Sequence, residues 1–313
     1  AAGADYFWGR VWGAPFAFAN FVIIGSLLGR QRVDRVLVMT IVGSIANIGL
    51  DLWFILGLGW GSTGAGVATA LSQVCMLGVG LAFLRPWTRW NDMGASPGAI
   101  FDREELRKLA SLSGDILVRT FSLLTAFALF TNFSAALGTL VLTANAVLLK
   151  GLSTAAFVID GYAFAAEGMA GHAAGRKDPD ALRDLLRVGL PVSLVTGVAF
   201  GLAFYFAPSL FALLTDHGEV LEGVADARAW LLAVLVFSSI AYLLDGYFLG
   251  LSAGPTLRRA MVQSLLLGFV PLALYARYGG GGVDWLWAAM VVFMLARVIT
   301  LGAAVPKTLK IKD

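Results

Sequence analysis

The hydrophobic residues of the chain fall into long continuous runs separated by polar connections, rather than into alternating patterns. Apolar runs of about 20 residues are typical of helices that cross a membrane. About nine such runs occur, and we expect transmembrane helices near residues 7–28, 36–57, 62–84, 111–136, 139–165, 185–214, 229–250, 260–278 and 285–305. The pattern therefore predicts an all-α polytopic membrane protein.

Along the chain, connections rich in Lys and Arg alternate with connections that are poor in them. Lys and Arg collect in residues 30–35, 85–108, 176–187, 258–259 and 307–312, whereas the connections between these segments hold almost none. Because basic connections stay in the cytoplasm, this alternation predicts a cytoplasmic carboxyl terminus and an external Ala1. An external start without a signal peptide favours an odd number of further helices upstream.

A weak internal repeat also indicates further helices upstream. Aligning Gly25–Gly29 with Gly250–Gly254 also places Trp60 on Trp285 and Asn20 on Asp245. The first three helices then correspond to the last three, while residues 111–214 have no counterpart. A pseudo-two-fold repeat of this kind predicts a twelve-helix protein in two lobes, of which about nine helices are present here.

This repeat suggests three segments. Residues 1–90 form a partial amino-terminal lobe, equivalent to helices 4–6 of the whole, and residues 111–313 form the carboxyl-terminal lobe, equivalent to helices 7–12. Residues 91–110 read as a cytoplasmic linker between the lobes, since the polar stretch around them contains two prolines.

The composition agrees with a membrane protein. Hydrophobic residues make up 58% of the chain and charged residues 14%, whereas soluble domains carry about 25% charged residues. Basic cytoplasmic connections explain the net charge of +3, so no nucleic-acid partner is expected. The single cysteine, Cys75, excludes an internal disulfide. No metal-ligand cluster or phosphate-binding glycine loop is evident, and we expect no cofactor.

Asn47, Asp51 and Thr69 are polar residues within the second and third apolar runs. An aspartate within a membrane span costs about 2.5–3.5 kcal/mol. Asn47 and Asp51 are four residues apart and share one helix face, so they can serve one ligand. These residues suggest a cation or proton site. The alternative is that Asp51 is simply hydrated near the outer end of its helix.

The same residues carry a family resemblance. Residues 47–51 (NIGLD), a glycine turn and residues 64–69 (GAGVAT) resemble the multidrug and toxic compound extrusion (MATE) transporters. Asn145–Asp178 and Tyr242–Gly254 resemble the DinF-like branch of that family. The resemblance implies a two-lobe helix bundle in a bacterial inner membrane. It also implies a cation-coupled antiporter, driven by H⁺ or Na⁺, that exports amphipathic or cationic organic compounds.

The resemblance assigns roles to particular residues. Asn47, Asp51 and Thr69 match positions that help to bind the coupling cation, and Asp245 matches an aspartate that helps to hold Na⁺ in sodium-coupled relatives. A key aspartate on the first helix of such relatives has no counterpart here, so we expect an incomplete amino-terminal cation site and an exposed apolar lobe surface.

Several polar residues of the carboxyl-terminal lobe are open to more than one interpretation. Asp115 and Arg119 are four apart and suit an ion pair, and Lys150 needs a partner such as Asp160. Arg297 either pairs or extends to the membrane surface. Asp245 lies near the middle of its run and is either a second cation site or a helix-packing hydrogen-bond acceptor. Possible substrate or coupling residues are Asp115, Arg119, Asn145, Lys150, Asp160 and Asn20.

The remaining patterns are weaker. Asp160 stays open, whereas Glu167 and His172 are interpreted as parts of an interfacial segment. Of two G-x-S-x-G matches, Gly94–Gly98 has Pro97 beside its serine in a polar linker, and Gly250–Gly254 suggests an intramembrane serine protease, but no histidine follows Ser252. Close helix packing explains Gly250–Gly254 and its counterpart Gly25–Gly29 better.

Two alternatives to the antiporter remain. One is a flippase for lipid-linked precursors, which should carry a strongly cationic cavity. The other is an intramembrane enzyme, which the missing nucleophile and base disfavour. The partners implied are a small organic substrate, membrane lipid and the missing amino-terminal helices.

Overall fold

The computed structural model describes residues 2–84 and 102–309, and within them every regular element is a helix. Eight helices of the described part are long and apolar enough to cross a membrane, and a ninth span results if one bent helix pair is counted as a single span. The prediction of an all-α polytopic protein is thus confirmed. The chain divides into two compact units, which we call the amino-terminal unit (Ala1–Asp102) and the carboxyl-terminal unit (Arg103–Asp313).

The amino-terminal unit is built from an up-down-up set of helices. Its first span is bent by 59° between α1 and α2. Proline lacks a backbone N–H, and Pro15 therefore fits the first turn of α2, where that hydrogen bond is missing in any helix. The helices are α1 (Ala2–Val11), α2 (Ala14–Gly29), α3 (Val33–Asp51), which continues as a π-helix (Leu52–Gly57), and α4 (Gly61–Leu84).

Glycines allow α1 and α4 to approach at backbone contact. A Cβ atom on Gly9 would lie 2.8 Å from the carbonyl oxygen of Thr63, and one on Gly13 would lie 2.7 Å from the Cα atom of Ala70. On the other side of α4, Gly43 lies against Met76 and Phe54 lies against Gly64. These contacts run in opposite directions along α3 and α4, so the two helices are antiparallel.

The carboxyl-terminal unit contains longer helices, several of which extend well beyond the length of a span. Its elements are α5 (Arg103–Leu137), α6 (Thr139–Gly175), α7 (Pro179–Phe206), a 3₁₀ turn (Pro208–Leu213), α8 (Gly218–Gly250), α9 (Gly254–Gln263), a π-helix (Ser264–Phe269), α10 (Val270–Tyr278), α11 (Gly282–Gly302) and α12 (Val305–Thr308).

Two local rules explain irregular points in this unit. Pro271, in the first turn of α10, cannot donate to the helix and its ring conflicts with the carbonyl four residues earlier, which lies in the π-helix. The span predicted at 185–214 ends earlier, because α7 stops at Phe206 and a 3₁₀ turn follows. At the other end of α7, the Asp178 side chain accepts a hydrogen bond of 3.0 Å from the Ala181 N–H and caps the helix.

The helices of the carboxyl-terminal unit have a basic end and an acidic end. At the basic end α5, α7 and α9 begin and α6, α8 and α11 stop, as the contacts of Gly171 with Gly250 and of Gly254 with Asp115 show. Described Arg and Lys residues of four predicted basic segments lie there; the segments are 85–108, 176–187, 258–259 and 307–312. The acidic end holds the turns after α5, α7 and α10, together with the acidic residues Asp216, Glu219, Glu222 and Asp226.

The apolar core of this unit is interrupted once along the helices. One cluster of buried residues includes Ile159 and Met294 and fills the acidic half. A second cluster includes Ala166 and Leu301 and fills the basic half. Charged side chains lie between the two clusters, at the level of Asp160 on α6 and Arg297 on α11. This polar layer is where the candidate site lies.

The internal repeat is present, but its alignment differs from the predicted one. Three residues with left-handed backbone in the amino-terminal unit each have a left-handed counterpart at one common separation along the chain: Gln31 with Ser252, Gly59 with Gly280 and Gly61 with Gly282. The turn hydrogen bonds repeat as well, since Arg32 N–H donates to the Leu27 carbonyl as Ala253 N–H donates to that of Phe248. Asp245 therefore corresponds to Ile24 and not to Asn20.

The two glycine pairs that the predicted repeat had aligned also differ in their packing. A Cβ atom on Gly250 would collide with the Glu167 carbonyl oxygen, as close helix packing requires, whereas no atom lies within 4 Å of the Cβ position of Gly25 or Gly29 among the described residues. The packing interpretation is confirmed for Gly250, whereas the described residues show no such contact for Gly25 or Gly29. Helix α5 begins at Arg103, inside the segment interpreted as a linker; residues 91–101, including the match Gly94–Gly98, lie outside the described residues.

Candidate functional site

A cavity of about 290 Å³ opens in the polar layer of the carboxyl-terminal unit. Helix α5 contributes Arg119, α6 contributes Asp160 and Glu167, and α8 contributes Tyr242 and Asp245. The rest of the wall is formed by small and apolar residues of the same three helices. The structure thus brings together Arg119, Asp160 and Asp245, which the sequence had suggested separately.

Asp245 is held between two arginines. The Nη2 atoms of Arg119 and of Arg297 both donate to its Oδ2 atom. The Asp245 and Arg297 side chains are 5% and 0% exposed, whereas that of Arg119 is 18% exposed. Two guanidinium groups on one carboxylate leave one excess positive charge in surroundings where charges are poorly solvated. Acidic groups nearby are therefore expected to stabilise this cluster by compensating its excess charge.

Arg297 is fixed by aromatic rings as well as by Asp245. Its guanidinium carbon lies 5.3 Å from the ring centre of Tyr242 and 5.8 Å from that of Phe293. Such cation–π contacts stabilise a desolvated guanidinium. Of the two alternatives left open by the sequence, Arg297 therefore pairs and does not extend to the membrane surface.

Asp160 and Glu167 supply negative charge at the cavity wall. Both are partly exposed, and neither forms an ion pair within the described part of the chain. Arg119 attracts both carboxylates electrostatically, and Arg297 attracts that of Asp160. Among the described residues, the cavity thus contains two carboxylates without an ion pair next to one whose Oδ2 accepts from two arginines.

Asp115 and Arg119 do not pair with one another. Asp115 accepts a hydrogen bond of 2.5 Å from Arg258 of α9, and Arg119 turns to Asp245 of α8. Residues four apart share a helix face, but here each side chain pairs instead with a residue of another helix. Lys150 is exposed and does not contact Asp160, which lies ten residues further along α6, about 15 Å at 1.5 Å per residue.

Asp245 is also less central than its apolar run suggested. It lies five residues before the end of α8 at Gly250, or about 7.5 Å at 1.5 Å per residue. Its burial comes from packing against α6 at this depth. A Cβ atom on the adjacent Gly246 would collide with the carbonyl oxygen of Ala163.

Asn145 lies away from the cavity, near the acidic end. Its Nδ2 donates to Ser134 Oγ at 2.8 Å, and its Oδ1 accepts from the indole N–H of Trp287 at 2.9 Å. The side chain joins α5, α6 and α11 in a buried hydrogen-bonded chain. The structure does not bring it near Asp160 or Asp245.

In the amino-terminal unit, several buried polar atoms lack hydrogen-bond partners among the described residues, including Asn20 Oδ1 and two atoms of α3. The Nδ2 atom of Asn47 and the Oδ1 atom of Asp51 are buried and make no hydrogen bond among the described residues. Asp51 directly precedes the π-helix of α3, and such segments often occur at functional sites. Buried polar atoms normally have partners, so these two are notable.

Thr69 and Asn20 belong to a different part of that unit. The Thr69 hydroxyl donates to the Ala65 carbonyl at 2.9 Å, and its side chain lines a cavity of about 440 Å³ together with Arg10 and Gln73. Asn20 is buried and donates from Nδ2 to the Gln73 carbonyl at 2.9 Å and to Gln73 Oε1 at 3.0 Å. No hydrogen bond links Thr69 to Asn47 or Asp51 among the described residues.

Sequence reasoning missed two residues of the cavity. Glu167 was interpreted as interfacial, yet it lines the cavity seven residues after Asp160 on α6. A spacing of seven returns to the same helix face, so this signal was available. Tyr242, three residues before Asp245, opens the DinF-like segment on α8 but was assigned no role. His172 is exposed on α6 and does not line the cavity.

Charged side chains gathered at a cavity inside membrane-spanning helices are typical of membrane transporters. Comparison with known proteins gives the family. The model of the family described as MatE matches residues 116–274. The chain is 31% identical over 291 residues to DNA damage-inducible protein F of Escherichia coli (strain K12), with 93% of this chain and 63% of that protein covered.

More distant relatives agree. Protein DETOXIFICATION 44, chloroplastic, of Arabidopsis thaliana is 24% identical over 293 residues, with 93% of this chain and 54% of that protein covered. A solved structure of a MOP superfamily transporter from Pyrococcus furiosus superposes with a TM-score of 0.83 at 20% identity, covering 98% of this chain and 70% of that one. The chain spans 63% and 54% of the length of these two curated relatives.

The chain belongs to the MatE family, in agreement with the resemblance to DinF-like MATE transporters. Its relatives are transporters rather than enzymes, which sets aside the intramembrane enzyme. The helices and the bacterial relative make it a multi-pass protein of the bacterial inner membrane.

Proposed function

We propose that the protein acts as a cation-coupled antiporter, in which H⁺ or Na⁺ enters while an amphipathic or cationic organic compound is exported. The observation that carries this proposal is the cavity in the carboxyl-terminal unit, where Asp160 and Glu167 face the same space as the Arg119–Asp245–Arg297 cluster. Carboxylates within membrane spans are uncommon and usually serve ion or substrate pathways.

The mechanism is competition for negative charge. Asp160 and Glu167 make no ion pair within the described residues, so either can attract a coupling cation or the cationic group of a substrate. When a proton or Na⁺ neutralises them, a bound organic cation loses its counter-charge and dissociates. The two ligands therefore weaken each other's binding, which is the thermodynamic requirement for exchange.

Asp245 enters this cycle through Arg119. Both guanidinium groups bind the Oδ2 atom of Asp245, so a cation gains access to this oxygen when one of them leaves, and Arg119 is the more exposed of the two partners. Because Arg119 is attracted to Asp160 and Glu167 as well, it can exchange one carboxylate for another when their protonation changes. Arg297, which is fully buried among aromatic rings, remains in place.

A second cation or proton site is proposed in the amino-terminal unit at Asp51 and Asn47. Its support is the pair of buried, unpartnered polar atoms on one face of α3, Asn47 Nδ2 and Asp51 Oδ1. Thr69 belongs to this proposal only through the family resemblance, since it lines the neighbouring cavity. Asn20 and Asn145 are proposed to position helices, because the amide nitrogen of Asn20 is engaged with Gln73 and the whole amide of Asn145 with Ser134 and Trp287.

The basic end of the carboxyl-terminal unit is proposed to face the cytoplasm, because Lys and Arg are retained on that side of bacterial membranes. The single cysteine makes the orientation easy to test. In a Cys75→Ser background, a membrane-impermeant thiol reagent added to intact cells is expected to label Glu219→Cys but not Arg183→Cys. The opposite labelling would reverse the orientation.

The coupling proposal is tested by efflux of an organic cation from vesicles of cells that express the protein, under separate H⁺ and Na⁺ gradients. Asp160→Asn and Glu167→Gln are each expected to reduce gradient-driven efflux at least tenfold, and Asp51→Asn and Asp245→Asn are expected to alter the coupling. The control is Asp180→Asn, which removes an exposed carboxylate paired with Arg183. Wild-type coupling in all four variants would disprove the proposal.

A flippase for lipid-linked precursors remains the second candidate, favoured by one observation. Arg119 and Arg297 give the polar layer two guanidinium groups that an anionic precursor could engage. Arg119→Gln separates the two functions. An antiporter for cations is expected to keep its affinity for the organic cation in this variant, whereas a flippase is expected to lose its anionic substrate.

A further inference from the structure

A second polar cavity, of about 290 Å³, lies at the basic end of the carboxyl-terminal unit. Helix α9 forms one wall, and the last turn of α11 with α12 forms the other. We call it the α9–α12 cavity. Its polar lining consists of Thr256, Arg259 and Gln263 from α9, Thr300 from α11, and Lys307 and Thr308 from α12.

The α9–α12 cavity carries positive charge without a compensating acid. Arg259 and Lys307 approach it from two different elements, and no acidic residue lines it among the described residues. Neither forms an ion pair within that part of the chain. Several other basic residues at this end are paired: Lys108 with Glu104 and Glu105, Arg183 with Asp180, Arg187 with Asp184 and Arg258 with Asp115.

Uncommitted hydrogen-bond donors surround these two charges. Arg259 and Gln263 are four residues apart on one face of α9, and Thr256 lies one turn before Arg259. The side chains of these three residues make no hydrogen bond among the described residues. Thr308, by contrast, is held by the Tyr247 hydroxyl at 2.7 Å, which fixes α12 against the end of α8.

Apolar side chains continue from the cavity along the helix surface. Ile299, beside Thr300, is exposed, and so are Leu266 and Leu267, one turn beyond Gln263. A polar, basic cavity at the end of the spans thus adjoins an apolar surface. That is the arrangement of a lipid headgroup with its acyl chains, and basic pockets between membrane helices bind anionic headgroups in this way.

We propose that the α9–α12 cavity binds a phosphate oxyanion supplied by the headgroup of an anionic membrane lipid. Arg259 and Lys307 neutralise the phosphate, and the Gln263 amide and the Thr256 hydroxyl donate to its oxygens. Planar guanidinium groups suit phosphate oxygens well because they donate two parallel hydrogen bonds. The site is separate from the cavity at Asp160 and does not depend on what is transported.

The experiment measures binding of acyl-labelled phosphatidylglycerol to the purified chain in neutral detergent by fluorescence anisotropy. The variants are Arg259→Gln, Lys307→Gln and both together, with Arg259→Lys as the conservative change. Arg183→Gln is the matched control, because it removes one positive charge from the same end but lies on α7. Labelled phosphatidylcholine and free inorganic phosphate complete the set of probes.

We expect saturable binding of phosphatidylglycerol, a dissociation constant at least tenfold higher in the double variant, and a nearly unchanged one in Arg259→Lys and Arg183→Gln. The lipid is also expected to raise the melting temperature of the wild type more than that of the double variant, since it binds the folded state. Displacement of the lipid by millimolar phosphate would support the site and identify the phosphate alone as sufficient.

Two results would overturn the proposal. One is an equal loss of binding in Arg183→Gln and in Arg259→Gln, because the attraction would then be diffuse charge at the membrane surface. The other is equal affinity of the wild type for phosphatidylcholine and phosphatidylglycerol, since the cavity would not select an anion. Melting of each variant without lipid shows whether it is folded.

Discussion

The amino-terminal unit and the last helices of the carboxyl-terminal unit share a backbone repeat but not its chemistry. In the alignment set by the left-handed turns, Asp245 corresponds to Ile24, Arg297 to Met76 and Tyr242 to Phe21. Ile24 and Met76 pack against the small apolar cluster of their own unit. The charged cluster is therefore a feature of one copy of the repeat.

The reverse comparison gives the same result. Asp51 corresponds to Leu272, and Thr69 to Met290, which is fully buried in the apolar core. In the amino-terminal unit the unpartnered Asp51 lies near the end of α3 that leads to Gly57, whereas in the carboxyl-terminal unit the charges lie near the basic end. The turns repeat, while each unit has its own buried polar groups at its own positions.

The largest expected effect comes from making the carboxyl-terminal unit resemble its counterpart. Arg297→Met removes a fully buried partner of Asp245, and we expect it to lower the free energy of unfolding by about 3 kcal/mol. Adding Asp245→Ile removes the buried carboxylate and is expected to recover more than half of the loss. Denaturant titration in detergent measures the free energy of unfolding of both variants. An Arg297→Met protein as stable as the wild type would show that Asp245 does not depend on this arginine.

A smaller effect is expected from a matched pair of glycines. Gly246→Ala would place a methyl group on the Ala163 carbonyl oxygen, whereas its counterpart Gly25 has open space. We expect Gly246→Ala to lower the free energy of unfolding by about 2 kcal/mol and Gly25→Ala to raise it by up to about 1 kcal/mol. Similar melting temperatures for the two variants would contradict the difference in packing.

Asn20 offers a test within the amino-terminal unit. Its counterpart is Ala241, which is fully buried, so Asn20→Ala copies the other unit. Loss of the hydrogen bonds to Gln73 is expected to lower the free energy of unfolding by about 1–2 kcal/mol. Ser26→Ala on the same helix serves as the control and is expected to change it by less than about 0.5 kcal/mol. An equal change in the free energy of unfolding in Asn20→Ala and Ser26→Ala would contradict the stabilising role of these hydrogen bonds.

The smallest effect is expected for an exposed ion pair. Arg183 pairs with Asp180 at 2.6 Å, with side chains that are 47% and 80% exposed. Water screens such a pair, so Arg183→Gln is expected to lower the free energy of unfolding by less than about 0.5 kcal/mol. If the free energy of unfolding fell as much as in Arg297→Met, burial would not explain the difference between the exposed and the buried ion pair.

The fold was largely predictable from the sequence, because apolar runs and basic connections are local signals. The spans near 36–57 and 62–84 were placed to within a few residues at both ends, and the span near 229–250 at its carboxyl-terminal end. The alignment of the repeat was not, since residue matching favoured Gly25 on Gly250, while the turn geometry that sets the true alignment depends on φ angles at Gln31 and Ser252.

The candidate site was only partly predictable. Asp160, Arg119 and Asp245 were named because charge within a span is rare, but their partners lie on other helices. Arg258 reaches Asp115 across 143 positions of the chain, and Arg119 reaches Asp245 across 126. Rules for neighbours on one helix cannot see such pairs, and they assigned Asp115 to Arg119 instead.

The hydrogen bond from Trp287 to Asn145 has a practical consequence. The indole N–H is fully buried and engaged, so its proton is expected to exchange slowly with solvent and to give a sharp, shifted resonance in NMR spectra. Because Asn145 also holds Ser134, that resonance reports whether α5, α6 and α11 remain assembled. It provides a spectroscopic marker of native packing that can be read in micelles without any transport assay.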